Sequence, residues 1–535
     1  MKEKYFQQPS VSGAASRFRA APSADIERST FDRSHAHKTT FDAGYLVPIY
    51  VDEVLPGDSF SLKETMFARL ATPLKPVMDN MYLETFYFYV PYRLVWDNWE
   101  RFCGARTDYT DDPSGLRVPQ AVWGFSTAVH NNWAQYMGIP LGNQSAGNVS
   151  VNALPFRAYN LIYNDWFRDE SVCTRLEVFT DDGPDDYSLQ AFPWRRGKRH
   201  DYFTSCLPWP QLGDPVLIPV GLLDVTADTP AASAASFKPS TASAIGPLLI
   251  SPTGAVSHAG RPVANDTLVW QDPKLHAAAT AAGATINDLR TAFQIQRMLE
   301  RDARGGTRYI EIVLSHFGVR SDDARLSRPE YLGGGSTRVN ISPVPATSHD
   351  TAGEVAQGDL AGFGTAVNRG GFSKSFTEHG VIIGLANVRA DINYQQGLER
   401  MWRRKTRYDF YWPTLAHLGE QAVLNSEIFC VGSNNQAQDD GVFGYQERYA
   451  EYRYKPSRIS GKFLSSDPTS LDVWHLALDF ATLPLLNQSF MFDNPPIARI
   501  VAVPNEPQFL VDIWFSLKCS RPMPVYGVPG YVDHF

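Results

Sequence analysis

Alternation of apolar and polar residues with a period of two predicts strands in several parts of the chain. In Ser59–Leu70, Phe60 and Leu62 are separated by polar side chains, which is typical of a half-buried strand. The clearest alternation covers 508–518, where apolar residues at every second position leave Asp512 and other polar side chains on the opposite face. Further strands are expected at 46–51, 82–90, 380–394 and 473–480.

A helical period predicts two helices. The stronger signal is Ile286–Arg304, which begins with the capping-box-like pair Thr285 and Asp288 and ends before two glycines. The second candidate is 91–103, which ends at Gly104 and carries apolar side chains on one side. Because the strands are joined by very long connections without regular helix alternation, the pattern favours a β-sandwich or barrel over βαβ units.

Composition divides the chain into four segments. Residues 1–45 form a polar N-terminal arm, and its first 40 residues carry seven Lys or Arg against four acids. Residues 221–284 contain 16 alanines in 64 positions, with seven charged and two aromatic residues, so they lack the material of the main core. They are interpreted as an insertion between 46–220 and 285–535, which share the main fold.

Composition and charge indicate an acidic, folded protein. The chain has 535 residues, 43% of them hydrophobic and 20% charged, and its formal net charge is −8. No apolar run is long enough to span a membrane, and the first residues lack the apolar region of a secretory signal. Five widely spaced cysteines form no CxxC pair, so we expect isolated thiols in a reducing compartment rather than a zinc site or a disulfide framework.

Motifs that carry catalysis do not occur in the sequence. HExxH, GxSxG, GxGxxG and GxxxxGK[ST] are missing, so no catalytic residue and no cofactor are expected. His35 and His37 would share one side of an extended segment, but no third and fourth ligands lie near them in the sequence. The acidic residues of 108–112 and 181–186 lie among turn formers and match no EF-hand loop, so no metal site is assigned.

Two clusters of basic residues are interleaved with aromatic residues, one in 194–203 and one in 400–412. Cations neutralise phosphates while aromatic rings stack on exposed bases, and single-stranded nucleic acid is bound by this combination. Pairing of the same arginines with acids across subunit contacts is an equally open interpretation. The candidate nucleic-acid-binding residues are Arg195, Arg196, Lys198, Arg199, Trp402, Arg403, Arg404, Lys405 and Arg407.

Six segments are long and specific enough to compare with known families. They are STFDRSHAHKTTFDAGYLVPIYVDEVLPGDSF (29–60), ATPLKPVMDNMYLETFYFYVPYRLVWDNWERFCG (71–104), FGVRSDDARLSRPEYLGG (317–334), GLERMWRRKTRYDFYWP (397–413), ERYAEYRYKPSRISGKF (447–463) and PMPVYGVPGYVDHF (522–535). Together they resemble the major capsid protein of the microviruses, small single-stranded-DNA bacteriophages, and within them the gokushovirus branch. The resemblance covers nearly the whole chain and is weakest in 221–284.

The resemblance implies a mainly β fold, an eight-stranded antiparallel viral jelly roll with long inter-strand loops, a few short helices and one large insertion. It implies that many copies form a T=1 icosahedral shell around a circular single-stranded DNA genome, in the virion after assembly in the host cytoplasm. Residues 221–284 would form a trimeric protrusion at each threefold axis that serves host attachment. The arm would lie in the shell interior or between subunits.

The resemblance also implies partners. They are further copies of the chain, packaged single-stranded DNA, a small basic DNA-packaging protein, an internal scaffolding protein, a minor pilot protein and a host-surface receptor, with no membrane. A subunit with a net charge of −8 cannot neutralise a genome. DNA contact is therefore expected to be local, and a separate basic peptide is expected to supply the remaining charge.

Two other classes of protein stay open on the residues alone. A secreted carbohydrate-active β-sandwich, enzyme or lectin, is suggested by the 12 Trp and 24 Tyr, although no signal peptide accompanies them. A non-viral single-stranded-DNA-binding protein is supported by the two basic clusters and opposed by the acidic total charge. Particle size separates these classes, because a capsid protein forms megadalton particles and an enzyme of this length elutes as a monomer.

Overall fold

The computed structural model describes residues 26–106, 108, 112–124, 132–140, 148–187, 190, 192–216, 286–306, 308–319, 326–347 and 358–526, and the backbone of short strands between residues 224 and 278. These residues form two compact units. One unit contains the described residues up to Pro210 and from Val319 onward, and the other contains those between Gln211 and Gly318.

The strands of the described chain are short to medium in length. In chain order they are β1 (Ser29–Asp32), β2 (His35–Phe41), β3 (Val47–Val54), β4 (Ser59–Leu70), β5 (Met81–Pro91), β6 (Gln120–Gly124), β7 (Asn148–Asn152), β8 (Asp224–Ala227), β9 (Ser236–Pro239), β10 (Gly246–Ile250), β11 (Val256–His258), β12 (Arg261–Pro262), β13 (Leu268–Trp270), β14 (Leu275–Ala278), β15 (Glu330–Arg338), β16 (Asn340–Pro345), β17 (Leu360–Ser375), β18 (Gly380–Ala390), β19 (Asn393–Tyr394), β20 (Glu420–Leu424), β21 (Val442–Glu447), β22 (Ser457–Arg458) and β23 (Phe509–Arg521).

Most helices are single turns inside the loops. The α-helices of the described residues are α1 (Trp99–Phe102), α2 (Trp133–Tyr136), α3 (Leu154–Ile162), α4 (Ile286–Arg304), α5 (Tyr309–Phe317), α6 (Asn425–Ile428), α7 (Gln436–Asp439) and α8 (Gln488–Met491), and a π-helical turn at Tyr163–Phe167 continues α3. Short 3-10 turns lie at Tyr92–Leu94, Pro113–Gly115, Arg400–Arg403, Arg407–Asp409, Pro413–Leu415, Gly432–Asn434, Ala450–Tyr452, Gly461–Phe463, Asp472–Trp474 and Ile497–Arg499.

Two antiparallel sheets form the body of the first unit. The larger sheet has the order β1-β23-β4-β17-β16, with β2 also paired to β23, and the smaller has the order β15-β5-β18-β3. Their facing sides pack around one apolar core, which takes Phe60 and Phe515 from the larger sheet and Leu83 and Ile382 from the smaller. The mainly β, antiparallel sandwich expected from the sequence is therefore confirmed, and it is consistent with a jelly roll.

The two sheets differ in what covers their outer faces. All 11 residues of β18 are buried, because a second apolar core, built largely around α3, covers the outer side of the smaller sheet. In β4 and β23, by contrast, buried and exposed residues alternate along the strand. The outer face of the larger sheet is therefore open to solvent in the isolated chain.

Most of the expected elements are confirmed. Strand β4 has the expected bounds Ser59–Leu70, and 508–518 corresponds to β23, whose alternate apolar residues are buried. The expected strands at 46–51, 82–90 and 380–394 correspond to β3, β5 and the pair β18 and β19. Helix α4 has the expected bounds Ile286–Arg304, and its expected cap residue Thr285 lies outside the described residues.

The strand expected at 473–480 is wrong. The chain forms a 3-10 turn at Asp472–Trp474 instead, and the following Leu476 donates its N–H to the Asp79 carboxylate at 2.5 Å. An isolated bridge between Leu478 and Tyr394 is the remaining strand-like contact of this segment among the described residues. The Asp79 side chain thus accepts a backbone hydrogen bond that a neighbouring strand would accept if this segment were part of a sheet.

The single helix expected at 91–103 is also wrong. Strand β5 continues through Pro91, and a 3-10 turn and the four-residue α1 replace the long helix. Between them lies the buried Trp96, whose indole N–H donates to the Asp182 carboxylate at 2.8 Å. This contact with a distant loop interrupts the helix that the periodicity favours.

The expected N-terminal arm, residues 1–45, contains two strands of the larger sheet. Strands β1 and β2 both pair antiparallel with β23, and Phe41 lies opposite Phe509 with both rings fully buried. Residues 1–25 lie outside the described residues. The part of the arm that follows is thus built into the sandwich.

The second unit contains short strands and two longer helices. Its strands form sheets with the orders β12-β11-β10-β9-β13 and β14-β8. The residues of α4 and α5 are exposed or half-buried throughout. The expected insertion, 221–284, falls within this unit, and much of it lies outside the described residues. None of the helices described is long and apolar enough to cross a membrane.

Candidate nucleic-acid interface

The first basic cluster, 194–203, is held against two other segments of the first unit. Asp493 donates its N–H to the Arg196 carbonyl at 2.7 Å. The Arg195 guanidinium lies 4.1 Å from the centroid of the Tyr45 ring and donates to the Tyr45 hydroxyl at 3.1 Å. The positive charge of Arg195 is therefore in contact with its own chain.

Arg196 and Arg389 form ion pairs with the same carboxylate, that of Glu84. The Glu84 side chain is 8% exposed. Burial by itself would raise the pKa of Glu84, but the two guanidinium groups hold it below its ordinary value. This triad joins β5 and β18 to the first basic cluster, so Arg196 has a structural partner inside the chain.

Lys198 is enclosed beside Asp493. Its Nζ donates to the Phe490 carbonyl at 2.6 Å. Burial lowers the pKa of Lys198 to about 8 and raises the pKa of Asp493 to about 6. Arg199 differs from these residues because its side chain is 53% exposed and its Nη1 lies 3.7 Å from the Asp391 carboxylate. Of the four candidates in this cluster, Arg199 is the most accessible to a polyanion.

The second basic cluster, 400–412, also contains some arginines with partners inside the chain and some residues that are exposed. Arg403 donates to the Ser426 hydroxyl and pairs with Asp440, and Arg404 pairs with Glu451 at 3.3 Å. The contacts of Arg403 tie this segment to the connection between β20 and β21, and the contact of Arg404 ties it to the 3-10 turn at Ala450–Tyr452. Of the candidate DNA-binding residues in this cluster, Trp402, Lys405 and Arg407 are exposed.

The exposed members lie beside further aromatic rings. The Arg407 guanidinium is 4.7 Å from the centroid of Trp412, whose indole N–H donates to the Arg407 carbonyl at 3.1 Å. Trp402 is 67% exposed and Tyr408 is 66% exposed. Cations and accessible rings on one surface provide the contacts that phosphates and unpaired bases need.

A buried polar network fixes the turn that carries this surface. It lines a cavity of about 210 Å³. Arg400 donates to the Glu427 carboxylate at 2.9 Å and to the Ala422 carbonyl at 2.7 Å, and the Tyr202 hydroxyl donates to Glu427 at 2.8 Å. Burial raises the pKa of Glu427 above its ordinary value, against the opposing effect of Arg400. Arg400 thus anchors the turn from inside, and Trp402 projects from it.

A third basic and aromatic surface, which forms no cluster in the sequence, lies on the outer face of the larger sheet. Strand β4 contributes Lys63, Phe67 and Arg69, β17 contributes Arg369, and β23 contributes Trp514. Trp514 and Phe67 are 52% and 46% exposed. Because the residues come from three distant segments, they form no cluster in the sequence. The available signal was the presence of cations and rings at the exposed positions of period-two strands.

The metal ligands considered in the sequence have other contacts. The described residues include no group of three or more His, Cys, Asp or Glu that could hold a metal ion. His35 lies 5.1 Å from the centroid of Phe515. In the acidic segment 181–186, Asp185 accepts from Arg157 Nε at 2.7 Å, and both side chains are fully buried. Most of 108–112 lies outside the described residues.

Comparison with known proteins decides the family. The sequence model of a family of capsid proteins (F protein) matches residues 20–531. This chain belongs to that family. Capsid protein VP1 of Bdellovibrio phage phiMH2K is 44% identical over 97% of this chain and 98% of the relative. Capsid proteins VP1 of Chlamydia phage 1 and Spiroplasma virus 4 are 42% and 37% identical, over 96% and 94% of this chain and 97% and 95% of the relatives.

The protein is therefore a structural capsid protein of gokushovirus type and not an enzyme. Its copies associate into a shell, and it is a component of the virion. This assignment replaces the two alternatives, the carbohydrate-active sandwich and the non-viral DNA-binding protein. The surfaces described above are then surfaces of a shell subunit.

Proposed function

We propose that copies of this chain form a T=1 icosahedral shell that encloses a circular single-stranded DNA genome. The family assignment supports the shell, and the surface formed by Trp402, Lys405 and Arg407 supports the nucleic acid. That surface is the observation that carries the DNA proposal, because it offers cations and rings on a chain with a net charge of −8.

Imaging tests the shell. Negative-stain electron microscopy of the purified protein, combined with its absorbance ratio at 260 and 280 nm, is expected to show uniform round particles of T=1 size that contain nucleic acid. Nuclease-resistant DNA recovered from the particles is expected to be circular and single-stranded. A monodisperse monomer with no particles in any buffer, or double-stranded DNA in the particles, would contradict the proposal.

Charge removal tests the DNA contact at the second cluster. The double variant Lys405→Gln and Arg407→Gln is expected to reduce the DNA content of the particles while leaving the subunit folded. Arg453→Gln is a matched control, because Arg453 is similarly exposed and belongs to a different surface pair with Glu447. If particles of the double variant contain as much DNA as wild-type particles, the DNA proposal is refuted at this cluster. If the folded double variant forms no particles, the cluster is a subunit interface, which also refutes the DNA proposal there.

The other candidate DNA-binding residues differ in how accessible they are to DNA. Arg199 is expected to act with Lys405 and Arg407, since its side chain is exposed. Contact of DNA with Arg195, Arg196, Lys198, Arg403 and Arg404 requires that these residues give up their partners within the chain. Variants of this second group are therefore expected to reduce stability before they reduce DNA content.

We further propose that residues 221–284 form the threefold protrusion used for host attachment. These residues fall within the unit between Gln211 and Gly318, which also contains α4. Helix α4 exposes Phe293 and Met298 by 65% and 57%, and association of three copies would remove this apolar surface from water. Phe293→Ser with Met298→Ser is expected to preserve the shell and reduce adsorption to host cells. Gln294→Ser in the same helix is the control, and unchanged adsorption of the double variant would contradict the proposal.

The net charge leads to a proposal about partners. An acidic subunit leaves most of the genome charge uncompensated, so a small basic packaging protein is expected inside the shell. We also propose that the chain assembles in the host cytoplasm, and that its partners include an internal scaffolding protein and a minor pilot protein. Mass spectrometry of purified virions tests the first part, and virions that hold this chain and DNA without a basic peptide would refute it.

A further inference from the structure

The outer face of the larger sheet has an uneven charge. Along the described strands its exposed positions carry more cations than acids. The cations are Lys38, Lys63, Arg69, Arg369 and Lys518, and the acids are Asp32 and Asp512. A basic sheet face on an acidic chain is a local feature that the overall charge of −8 does not show.

The acids of this face are already paired. Lys38 lies 3.3 Å from Asp512. Lys518 lies opposite Asp32 in the register of β1 and β23 and lowers the pKa of that carboxylate, after the larger effect of its hydrogen bonds with Ser34. In the described part of the chain, no carboxylate lies within 4.0 Å of the cationic nitrogens of Lys63, Arg69 and Arg369. These three cations are available to an external anion.

Two exposed rings lie among these cations. Trp514 lies opposite Thr65 in the register of β23 and β4, and Arg369 lies opposite Thr65 on its other side. Phe67 is two residues beyond Thr65 on the same face, so Phe67 and Trp514 are diagonal neighbours, about 7–8 Å apart in an antiparallel pair. Both rings are about half exposed, so their faces can receive planar ligands.

We propose that this sheet face binds single-stranded DNA, with Trp514 and Phe67 stacking on bases and Lys63, Arg69 and Arg369 contacting phosphates. The inference rests on the proposal that the shell encloses DNA, and it adds that the larger sheet faces the genome. Sheet faces that present aromatic rings and cations are a recurring solution for single strands, because unpaired bases expose their faces and a duplex does not.

The contrast between the two sheets supports this occupant. The smaller sheet is covered on its outer side by its own chain, whereas the larger sheet keeps large apolar side chains exposed beside unpaired cations. A second copy of this acidic chain could also cover an apolar face. The three unpaired cations and the two exposed rings favour single-stranded DNA, since one strand offers phosphates and base faces together, whereas a second copy would have to place a carboxylate beside each cation.

Fluorescence anisotropy with a labelled 20-nucleotide oligothymidylate and the purified full-length chain tests the inference. Trp514→Ala is expected to weaken binding by about 5- to 150-fold, the range for loss of one base–ring stack. Lys63→Gln and Arg369→Gln are each expected to reduce the slope of log affinity against log salt concentration by about 0.7, as for one phosphate of a single strand. Arg453→Gln is the charge-matched control away from this face and is expected to leave both values unchanged.

The outcomes separate this inference from the DNA proposal at the second cluster. Loss of affinity in Trp514→Ala and Lys63→Gln supports the sheet face, whatever Trp402→Ala does. If Trp402→Ala and Lys405→Gln weaken binding while the sheet variants do not, the sheet inference is refuted and the cluster proposal stands. If the sheet variants bind the oligonucleotide normally but form no particles, the face is an interface between copies, which also refutes the inference. Lys63→Gln changes an exposed position, so it keeps the test decisive if Trp514→Ala does not fold.

Discussion

The carboxyl group of Glu64 lies in the core between the two sheets and leads to a prediction about pH. Glu64 is 2% exposed, and its Oε2 accepts from the Tyr87 hydroxyl at 2.5 Å, while its Oε1 is buried with no partner among the described residues. Burial raises the pKa of Glu64 to about 7, although the hydrogen bonds from Tyr87 and Thr85 oppose the shift. The folded protein therefore favours the neutral carboxylic acid.

The sign of the pH effect follows from the two pKa values. Below pH 4.5 the group is protonated in both states, and between 4.5 and about 7 the unfolded chain loses the proton that the folded chain keeps. Stability from this group therefore falls as pH rises through that window and then stays constant. At about 1.4 kcal/mol per pKa unit, the change between pH 5 and pH 8 is about 2–3 kcal/mol.

We predict that Glu64→Gln removes this pH dependence. Urea unfolding of the unassembled chain, followed by tryptophan fluorescence at pH 5 and pH 8, gives the free energy of unfolding of both proteins. The difference, variant minus wild type, is expected to be about 2–3 kcal/mol more favourable at pH 8 than at pH 5. Any loss of stability that the amide causes equally at both pH values cancels when the two differences are compared.

Glu84→Gln provides the contrasting control. Glu84 is also buried, but Arg196 and Arg389 hold its pKa below the ordinary value, so it is charged at both pH values. Its neutralisation leaves two guanidinium groups without their anion and is expected to cost about 3–5 kcal/mol at pH 5 and pH 8 alike. If Glu64→Gln shows the same difference at both pH values, its carboxyl group is ionised in the core and the reasoning about burial is wrong.

Two further predictions concern stability. Arg157→Met is expected to cost about 3–5 kcal/mol in urea unfolding, because it leaves the fully buried Asp185 without its cation, and a cost below 1 kcal/mol would contradict a buried pair. Gly44→Ala is expected to cost more than Gly57→Ala, although both glycines have positive φ angles, of 82° and 90°. A Cβ at Gly44 would collide with the Asp493 carbonyl, whereas at Gly57 the nearest atom is 3.7 Å away, and the strain of such a conformation is of order 1–3 kcal/mol. Equal losses of stability in the two variants would show that the backbone near Asp493 moves to make room for the added Cβ.

Much of the sandwich could be predicted from local pattern. The alternation in Ser59–Leu70 and 508–518 reports which side of each strand faces the core, since side chains of a strand alternate between two faces. The helix Ile286–Arg304 was equally visible from its period and its final glycines. Where the pattern failed, at 473–480 and 91–103, a distant carboxylate (Asp79 or Asp182) had captured a backbone or indole N–H.

The candidate site was less predictable, because the sequence shows where charges are and not what they contact. Arg196, Lys198, Arg403 and Arg404 look like free cations in their clusters, yet each has a partner from a segment far along the chain. Exposure separates Trp402, Lys405 and Arg407 from these neighbours. Which of these side chains are exposed depends on how the loops fold, and the local sequence does not show this.

The sequence by itself determined the acidic character of this chain, the main strands of its sandwich and its resemblance to capsid proteins, because composition, periodicity and long motifs are local properties. The tertiary structure decided which outer sheet face is covered and which is open. It also brought Lys63, Arg369 and Trp514 onto one surface from β4, β17 and β23. Strand pairing joins residues hundreds of positions apart, and no local pattern contains that information.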